Sequence, residues 1–378
     1  MAADAFSIAI IGSTGAFGSR IAELLARDPN IDLVIAGRTL SSLDEQARAL
    51  SKVMCRPVRR VVLDADGVDA GDIARLGARL VINASGPYQG SDYRLARAAI
   101  AARCHYVDLA DARGFVTGFG ALDAVARDAG VLAVSGASSV PGLSSAVVLQ
   151  LRPSFATLDA LDIAISPGNA FDPGVATVAS VLGGVGQPLS MLRDGARRTV
   201  HGWQGLARRS FGEAGWRWLG YVDVPDLDLF PARDAGLKTV RFRAGLEVSL
   251  FHFGLWCASW LVRSGVVRSL APLAPGLLAV KRALTWLGSD RGGMVIIMDG
   301  TGLDGRRKRA TWLLVAKSGH GPFVPALASV ALAKRLASGA EMRRGATACY
   351  GVVSLDNILA EAAGLDITCT THEEALPS

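Results

Sequence analysis

Three glycines near the start of the chain constrain its fold more than any other feature. Gly12, Gly15 and Gly18 follow the apolar run Phe6–Ile11 and lead into the helically spaced residues Ser19–Arg27. A glycine turn between a strand and a helix leaves room for a pyrophosphate and directs the free N–H groups of the helix toward it. The Gly-x-x-Gly-x-x-Gly spacing in this context therefore predicts a dinucleotide-binding unit.

Strand patterns and helix patterns alternate over about the first 145 residues, which predicts βαβ units and a parallel sheet. The strand patterns are almost continuously apolar, as is typical of strands covered on both faces. We therefore predict an α/β protein that begins with a Rossmann doubly wound parallel sheet. The predicted strands are Phe6–Ile11, Leu33–Ala36, Val58–Leu63, Leu80–Ala84, Tyr106–Leu109 and Val131–Val134.

The regular alternation of strand and helix patterns ends after Pro141, and the pattern that follows is that of a less regular α+β region. Ser190–Val200 has the pattern of one strand, and the polar residues after Thr370 are expected to be frayed. Helices are predicted at Val324–Leu336 and Ser354–Ala363, with Ser354 as an N-cap. The predicted domains are a Rossmann domain (1–145), an α+β substrate and dimerisation domain (146–320) and C-terminal helices that return to the Rossmann domain (321–378).

The end of the second predicted strand indicates which dinucleotide is bound. NAD-binding chains usually place Asp or Glu there to accept a hydrogen bond from the ribose 2′-hydroxyl. This chain has Arg38, whose guanidinium group matches a 2′-phosphate, followed by hydroxyl groups at Thr39, Ser41 and Ser42. The sequence therefore predicts NADP as the cofactor. Asp64 ends the third strand, where it either meets the adenine amine or caps the next turn.

Small residues at 83–88 end the fourth strand, where they allow the backbone to pass close to the nicotinamide half of a dinucleotide. The predicted cofactor contacts are Gly12, Ser13, Thr14, Gly15, Phe17, Gly18, Gly37, Arg38, Thr39, Asp64, Ala84, Ser85, Gly86 and Pro87.

Three side chains near the same strand ends are candidates for proton transfer. Tyr106 and Asp108 lie on one face of the fifth strand, and Tyr88 follows the fourth. A hydride-transfer enzyme needs a proton donor of suitable pKa beside the nicotinamide. The alternative is structural, with the tyrosines packing in the core and Asp108 capping the next element. The chain has neither the Tyr-x-x-x-Lys of short-chain dehydrogenases nor the Gly-x-Ser-x-Gly of α/β-hydrolases.

Several blocks of the first 150 residues, in order and spacing, resemble the saccharopine dehydrogenase (saccharopine reductase-like) NADP-binding family. The blocks are Gly12–Gly18, Ala36–Arg38, Asn83–Tyr88, His105–Leu109 and Leu122–Ser135. The stretch Trp312–Leu355 resembles short bacterial members of unassigned substrate.

This resemblance implies an NADP-dependent oxidoreductase in which an α+β domain carries the substrate and dimer contacts. The reaction it implies is hydride transfer to or from the C=N bond of an amino-acid-derived imine. Members with such substrates commonly have Asp before the Pro141-Gly142 turn, where this chain has Val140. An enoyl reductase-like enzyme acting on a lipid precursor therefore stays open, as does a non-catalytic, membrane-associated NADP-binding protein.

Two apolar segments, Leu246–Val262 and Leu270–Leu287, must be covered by core, a second subunit or lipid. Glu247 and His252 argue against a membrane span, and the first segment is short for one. We predict a homodimer through this region, with membrane-surface contact as the less favoured alternative. The basic run Arg306–Arg309 is typical of a solvated turn, with a phosphate or anionic-lipid contact as the alternative.

Composition excludes several other classes of function. The formal net charge is +6, but no aromatic residues interleave with the basic ones as in nucleic-acid-binding proteins. The five cysteines are widely spaced, so neither a zinc site nor a disulfide framework is expected. We therefore expect a cytoplasmic protein with no metal and a small-molecule substrate, which is hydrophobic if the apolar segments contribute to its site.

Overall fold

The computed structural model describes residues 5–377, in which the strands form three sheets. The strands are β1 (Phe6–Ile11), β2 (Ile31–Gly37), β3 (Arg59–Val62), β4 (Leu80–Asn83), β5 (His105–Asp108), β6 (Leu132–Ser135), β7 (Phe155–Ser166), β8 (Pro188–Arg193), β9 (Ala196–His201), β10 (Ala207–Ser210), β11 (Trp216–Tyr221), β12 (Thr239–Ala244), β13 (Gly292–Gly302), β14 (Arg307–Ala316), β15 (Gly345–Ala348) and β16 (Ile367–Ala375). The α-helices are α1 (Gly18–Leu25), α2 (Leu40–Met54), α3 (Ala70–Leu76), α4 (Arg94–Ala101), α5 (Arg113–Gly118), α6 (Asp123–Asp128), α7 (Ser144–Leu151), α8 (Gly174–Gly184), α9 (Asp226–Arg233), α10 (Ser249–Arg263), α11 (Ala274–Ala283), α12 (Val324–Ala337) and α13 (Leu355–Ala360).

The chain divides into two compact units. The first comprises the residues up to Leu143 together with Pro322–Ala363, and the second comprises Ser144–Gly321 with the residues from Gly364 onward. The first unit contains a parallel sheet in the order β15-β6-β5-β4-β1-β2-β3. The prediction of a doubly wound parallel sheet is confirmed.

The strand order reverses at β1, so the chain leaves β1 toward β2 on one side and returns to β4 on the other. In sheets of this kind, ligands bind outside the carboxyl ends of the strands at the point of reversal. Ile11 pairs with Asn83, and the N–H of Ala84 donates to the Ile11 carbonyl at 2.8 Å. The glycine loop and the segment after β4 therefore begin next to each other.

The returning segment Pro322–Ala363 adds more than the two predicted helices to the first unit. It also contributes β15, which pairs in parallel with β6 and extends the sheet by one strand. The helix α12 packs against α1 and is apolar and buried over most of its circumference, which is typical of a core helix. At α13, the Ser354 side chain accepts a hydrogen bond from the Asn357 N–H, so the predicted N-cap is confirmed.

The second unit contains a mixed sheet in the order β10-β11-β12-β7-β13-β14-β16. One end of its core is a cluster around Phe211, Leu219 and Val295. A second cluster joins α8, α10 and α11 through Leu182, Val262 and Ala274. Among residues 5–377, no helix is both long enough and apolar enough to cross a bilayer.

Two sequence predictions for this unit are wrong. The pattern at 190–200 is a hairpin of β8 and β9, because Asp194 and Gly195 adopt positive φ and reverse the chain. The tail after Thr370 belongs to β16, which pairs with β14 from Ile367 to Ala375. The segment from Gly364 therefore joins the second unit, whereas the sequence placed all of 321–378 with the first. A polar edge strand of this kind is stabilised by its partner strand, so its own pattern does not reveal it.

Candidate functional site

The loop after β1 needs glycine at its first and last positions for reasons internal to the protein. Gly12 has a φ of +76°, a conformation that side chains disfavour. A Cβ at Gly12 would also lie 2.9 Å from backbone atoms of Ala84 and Ser85. A Cβ at Gly18 would collide with the Gly12 carbonyl oxygen. The loop, the segment after β4 and the start of α1 therefore approach one another too closely for side chains.

The middle glycine differs, because the space beside it is open. A Cβ at Gly15 would have only the Gly12 carbonyl oxygen as a neighbour within 4 Å, at 3.2 Å, and Gly15 is exposed. The N-cap residue of α1, Phe17, gives no side-chain hydrogen bond to the first helical turn, which also contains no acidic residue. No side chain of the first turn neutralises the positive end of the helix dipole, which therefore favours an anion there. This arrangement fits a pyrophosphate on the open side of Gly15.

The loop is braced by Gln46 of α2, a residue that the sequence motif does not include. The Ser13 hydroxyl donates to Gln46 Oε1 at 2.8 Å, and Gln46 Nε2 donates to the Ser13 carbonyl at 2.8 Å. Ser13 is fully buried, and its N–H donates to the Ala36 carbonyl at 3.2 Å. Ser13 therefore supports the shape of the loop, and its predicted cofactor contact stays a prediction.

The end of β2 presents a cation and hydroxyl groups to solvent. Arg38 and Thr39 are exposed, and no carboxylate pairs with Arg38 among the described residues. A Cβ at Gly37 would lie 3.7 Å from Thr14 Oγ1, so the glycine loop and the end of β2 are adjacent. This set of donors fits the 2′-phosphate of NADP. Asp64 is exposed and accepts a hydrogen bond from the Asp66 N–H at 3.3 Å, so it caps the short turn after β3.

Asn83, at the end of β4, connects the predicted site residues and was missed as one of them. Its Oδ1 accepts from the Ser85 N–H at 3.0 Å and from the Ser85 hydroxyl at 2.5 Å. Its Nδ2 donates to the Tyr106 hydroxyl at 3.1 Å, and its carbonyl accepts from the Tyr88 hydroxyl at 2.7 Å. The side-chain amide and the main-chain carbonyl of one buried residue therefore hold the strand end and the two tyrosines of the predicted site together.

Asp108 is fully buried at the end of β5 and anchors three donors. Its Oδ1 accepts from the N–H groups of Ala110 (3.0 Å) and Gly136 (2.8 Å) and from the Ser135 hydroxyl (2.9 Å). Its Oδ2 has no hydrogen-bond partner of ordinary geometry within residues 5–377. Burial raises the pKa of Asp108 to about 6, although the three donors and the Tyr106 hydroxyl favour its charged form.

The structure thus joins Tyr88 and Tyr106 through Asn83, and the charge of Asp108 acts on both tyrosine hydroxyls. The exposed fraction is 7% for Tyr88 and 0% for both Tyr106 and Asp108. Burial, reinforced by the charge of Asp108, raises the pKa of both tyrosines well above 10, so their hydroxyls stay protonated at neutral pH. Ser135 and Gly136 are further members that sequence reasoning missed, because they lie one strand and 27 or 28 residues away from Asp108.

The first unit has a Rossmann fold, and comparison with known proteins shows what it resembles. Residues 8–134 match the family model "saccharopine dehydrogenase NADP binding domain". No curated protein matches the chain by sequence.

Solved structures are similar over different lengths of the chain. An apo saccharopine dehydrogenase (L-Glu forming) from Saccharomyces cerevisiae is 15% identical with a TM-score of 0.68, covering 97% of this chain and 100% of its own. A biliverdin reductase from Synechocystis sp. PCC 6803, in complex with biliverdin and NADP+, is 13% identical with a TM-score of 0.42, covering 94% and 95%. An L-sorbose reductase from Gluconobacter frateurii covers 35% of this chain and 69% of its own, at 16% identity and a TM-score of 0.28.

Residues 8–134 are therefore similar to a saccharopine dehydrogenase NADP-binding domain, and the cofactor is NADP. Over its whole length it has the fold of saccharopine dehydrogenase. The resemblance that the sequence motifs indicated is confirmed.

Arg38 gives the first testable prediction. In Arg38→Asp we expect the preference for NADPH over NADH to fall by at least about tenfold, because a carboxylate repels the 2′-phosphate and accepts from a 2′-hydroxyl. Fluorescence titration of both cofactors measures the change. Arg48→Asp, an exposed arginine further along α2, is the matched control and should leave the preference unchanged. Equal affinity of the wild-type protein for both cofactors would contradict the assignment.

Proposed function

We propose that the protein is an NADP-dependent oxidoreductase that transfers hydride to or from the C=N bond of an amino-acid-derived imine or a related substrate. The observation that carries this proposal is the buried network of Asn83, Tyr88, Tyr106 and Asp108 at the carboxyl ends of β4 and β5. This network begins beside the glycine loop. The N–H of Ala84, the residue after Asn83, donates to the Ile11 carbonyl at the end of β1. A proton-handling group at this edge of the sheet is what a hydride-transfer enzyme requires.

We assign the role of each residue in the network from how deeply it is buried. When bound, NADP(H) supplies or accepts the hydride. Tyr106 and Asp108 are inaccessible, so we assign them a positioning role in which they hold Asn83 and the ends of β5 and β6. Of the two tyrosines and Asp108, Tyr88 is the one with some exposure, and its hydroxyl is protonated at neutral pH. We therefore assign Tyr88 as the proton donor toward the substrate.

Oxidation of NADPH, followed with a panel of candidate substrates, tests this function. We expect turnover with a 2-oxo acid and an amine only when both are present, since the imine forms from the pair. In Tyr88→Phe we expect kcat to fall about 100-fold with the Kd for NADPH unchanged. Tyr93→Phe is the matched control, because the Tyr93 hydroxyl donates to the Phe115 carbonyl instead of to Asn83.

The second candidate is reduction of an enoyl group on a lipid precursor. It is favoured by the exposed apolar side chains of α10 and α11, such as Leu250 and Val280. Turnover of enoyl-thioesters without turnover of any imine-forming pair would support it and contradict the first proposal. Absence of turnover with either class, while NADPH still binds, would favour a non-catalytic NADP-binding protein.

A further inference from the structure

The second unit carries a concentration of exposed apolar side chains that its fold does not use. Half of the eighteen large apolar residues that are exposed in the described chain lie between positions 250 and 287. We call these nine the α10–α11 surface, and their exposed fractions run from 40% to 75%. Its residues are Leu250, Trp260, Leu261, Val266, Leu273, Leu277, Val280, Trp286 and Leu287. Monomeric soluble proteins rarely leave so many large apolar side chains uncovered together.

The exposed apolar residues of α10 are not scattered around the helix but lie along one of its faces. Its exposed positions include Leu250, Gly254, Cys257 and Leu261, which follow the spacing of one helical stripe. A surface helix ordinarily places charged and polar residues on such a stripe. The charged side chain of α10 is Arg263, in its last turn.

The opposite face of α10 is already packed within the second unit. Val262 belongs to the cluster that joins α8, α10 and α11, and Leu255 and Ala258 pack against that cluster. The core is therefore complete without the outer stripe. The outer stripe must be covered by something outside this chain or remain in water.

Cations predominate in the segment that forms the α10–α11 surface, which is flanked in the chain by the carboxylates of Glu247 and Asp290. Residues 248–289 contain Arg263, Arg268, Lys281 and Arg282 and no carboxylate. Among the described residues, only Arg282 of these four pairs with a carboxylate, that of Asp172 at 2.8 Å. An apolar face with tryptophans and surrounding cations is complementary to the headgroups and upper acyl chains of an anionic bilayer.

A second copy of the chain fits this surface less well. A two-fold interface places the same patch of both copies together, so Arg263, Arg268 and Lys281 of each copy would surround the joint interface without carboxylates to match them. The homodimer that the sequence indicates through this region stays a prediction.

The basic run after β13 does not offer a comparable surface. Arg307 pairs with Asp159, Lys308 pairs with Glu373 at 2.9 Å, and Arg309 pairs with Asp299 at 2.6 Å. These carboxylates neutralise most of the run, and the adjacent Leu303 is a single exposed apolar residue on the β13–β14 turn. The run therefore supplies matched controls within the same unit.

We propose that the α10–α11 surface binds the surface of an anionic lipid bilayer. The helices lie in the interface and do not cross the membrane, because the 15 residues of α10 span about 22 Å and the hydrocarbon core is about 30 Å thick. Trp260 and Trp286 are exposed on this surface, and tryptophan is enriched at the level of lipid headgroups. The proposal is independent of the reaction assigned to the first unit.

Sedimentation of the full chain with sucrose-loaded vesicles tests the proposal. The vesicles are phosphatidylcholine alone, or phosphatidylcholine with phosphatidylglycerol in a ratio of about 7:3. We expect binding to the anionic vesicles, much weaker binding to the neutral ones, and loss of binding as salt screens the charges. Leu261→Glu should lower the partition coefficient by at least about tenfold, whereas Leu303→Glu should leave it unchanged.

A second pair of variants tests the charges. Arg268→Gln should weaken binding about fivefold, as expected for one cation near an anionic surface, and Arg306→Gln should not. All four side chains are exposed, so NADPH affinity and thermal unfolding should match the wild type and show that the variants are folded. Absence of binding to anionic vesicles would overturn the proposal. A wild-type dimer that Leu261→Glu converts to a monomer would overturn it in favour of a second copy.

Discussion

Replacing Gly15 with valine is expected to weaken NADPH binding by at least about 100-fold while thermal unfolding stays cooperative. The side chain would enter the open side of the loop, where the pyrophosphate is expected to bind, and its Cβ would have the Gly12 carbonyl oxygen, at 3.2 Å, as its one neighbour beyond the adjacent residues. The φ of Gly15 also lies outside the left-handed region, so valine introduces no backbone strain of that kind. Fluorescence titration of NADPH and circular dichroism during heating measure the two effects.

Two further glycine variants test whether the loss of NADPH binding is specific to Gly15. Gly18→Val should fail to fold or unfold at a much lower temperature, because its side chain collides with the loop backbone at Gly12 and Ser13. Gly120→Val, in an exposed turn with no neighbouring atom within 4 Å, should bind NADPH as the wild type does. Wild-type affinity in Gly15→Val would show that the pyrophosphate does not bind at this loop.

Local patterns were sufficient to predict the parallel sheet of the first unit. The six predicted strands correspond to β1–β6 because their apolar runs are separated by turns and helices of ordinary length. The seventh strand, β15, is the four-residue sequence Gly-Ala-Thr-Ala, whose composition favours no strand. It becomes a strand because β6 offers a free edge, with Gly345 donating to the Val131 carbonyl at 2.9 Å.

The cofactor loop was predictable and the network behind it was not. The glycine spacing is a local signature, because the three glycines recur at a fixed interval between one strand and the helix that follows it. Gln46 lies 33 residues from Ser13, and Tyr106 lies 23 residues from Asn83. Such pairs meet only when the sheet is assembled, so a single sequence carries no sign of them.

Burial changed the interpretation of the catalytic candidates. Alternation along β5 correctly placed Tyr106 and Asp108 on one side of the strand, but strands of a doubly wound sheet are covered on both faces. Their complete burial therefore follows from the fold class. It assigns them to support of the site, whereas Tyr88 retains a small exposed fraction.

Replacing Asp108 with alanine is expected to lower the free energy of unfolding by about 4 kcal/mol or more. The change leaves the Ala110 N–H, the Gly136 N–H and the Ser135 hydroxyl without the acceptor they share, and each unsatisfied buried group costs about 1–3 kcal/mol. Urea-induced unfolding measures the loss. Asp111→Ala, at an exposed carboxylate three residues away, is the matched control and should stay within about 0.5 kcal/mol of the wild type.

At about pH 4, Asp108→Asn should be close to the wild type in stability, because Oδ1 still accepts the three hydrogen bonds. Its stability relative to the wild type should also depend on pH. The folded pKa of Asp108 is raised to about 6, so its ionisation destabilises the folded state increasingly as the pH rises from about 4 to 6. Asparagine removes this cost, and its advantage over the wild type should grow by at most about 1.4 kcal/mol per pH unit across that interval. If Asp108→Ala were as stable as Asp111→Ala, Asp108 would not hold the ends of β5 and β6, and its positioning role would be refuted.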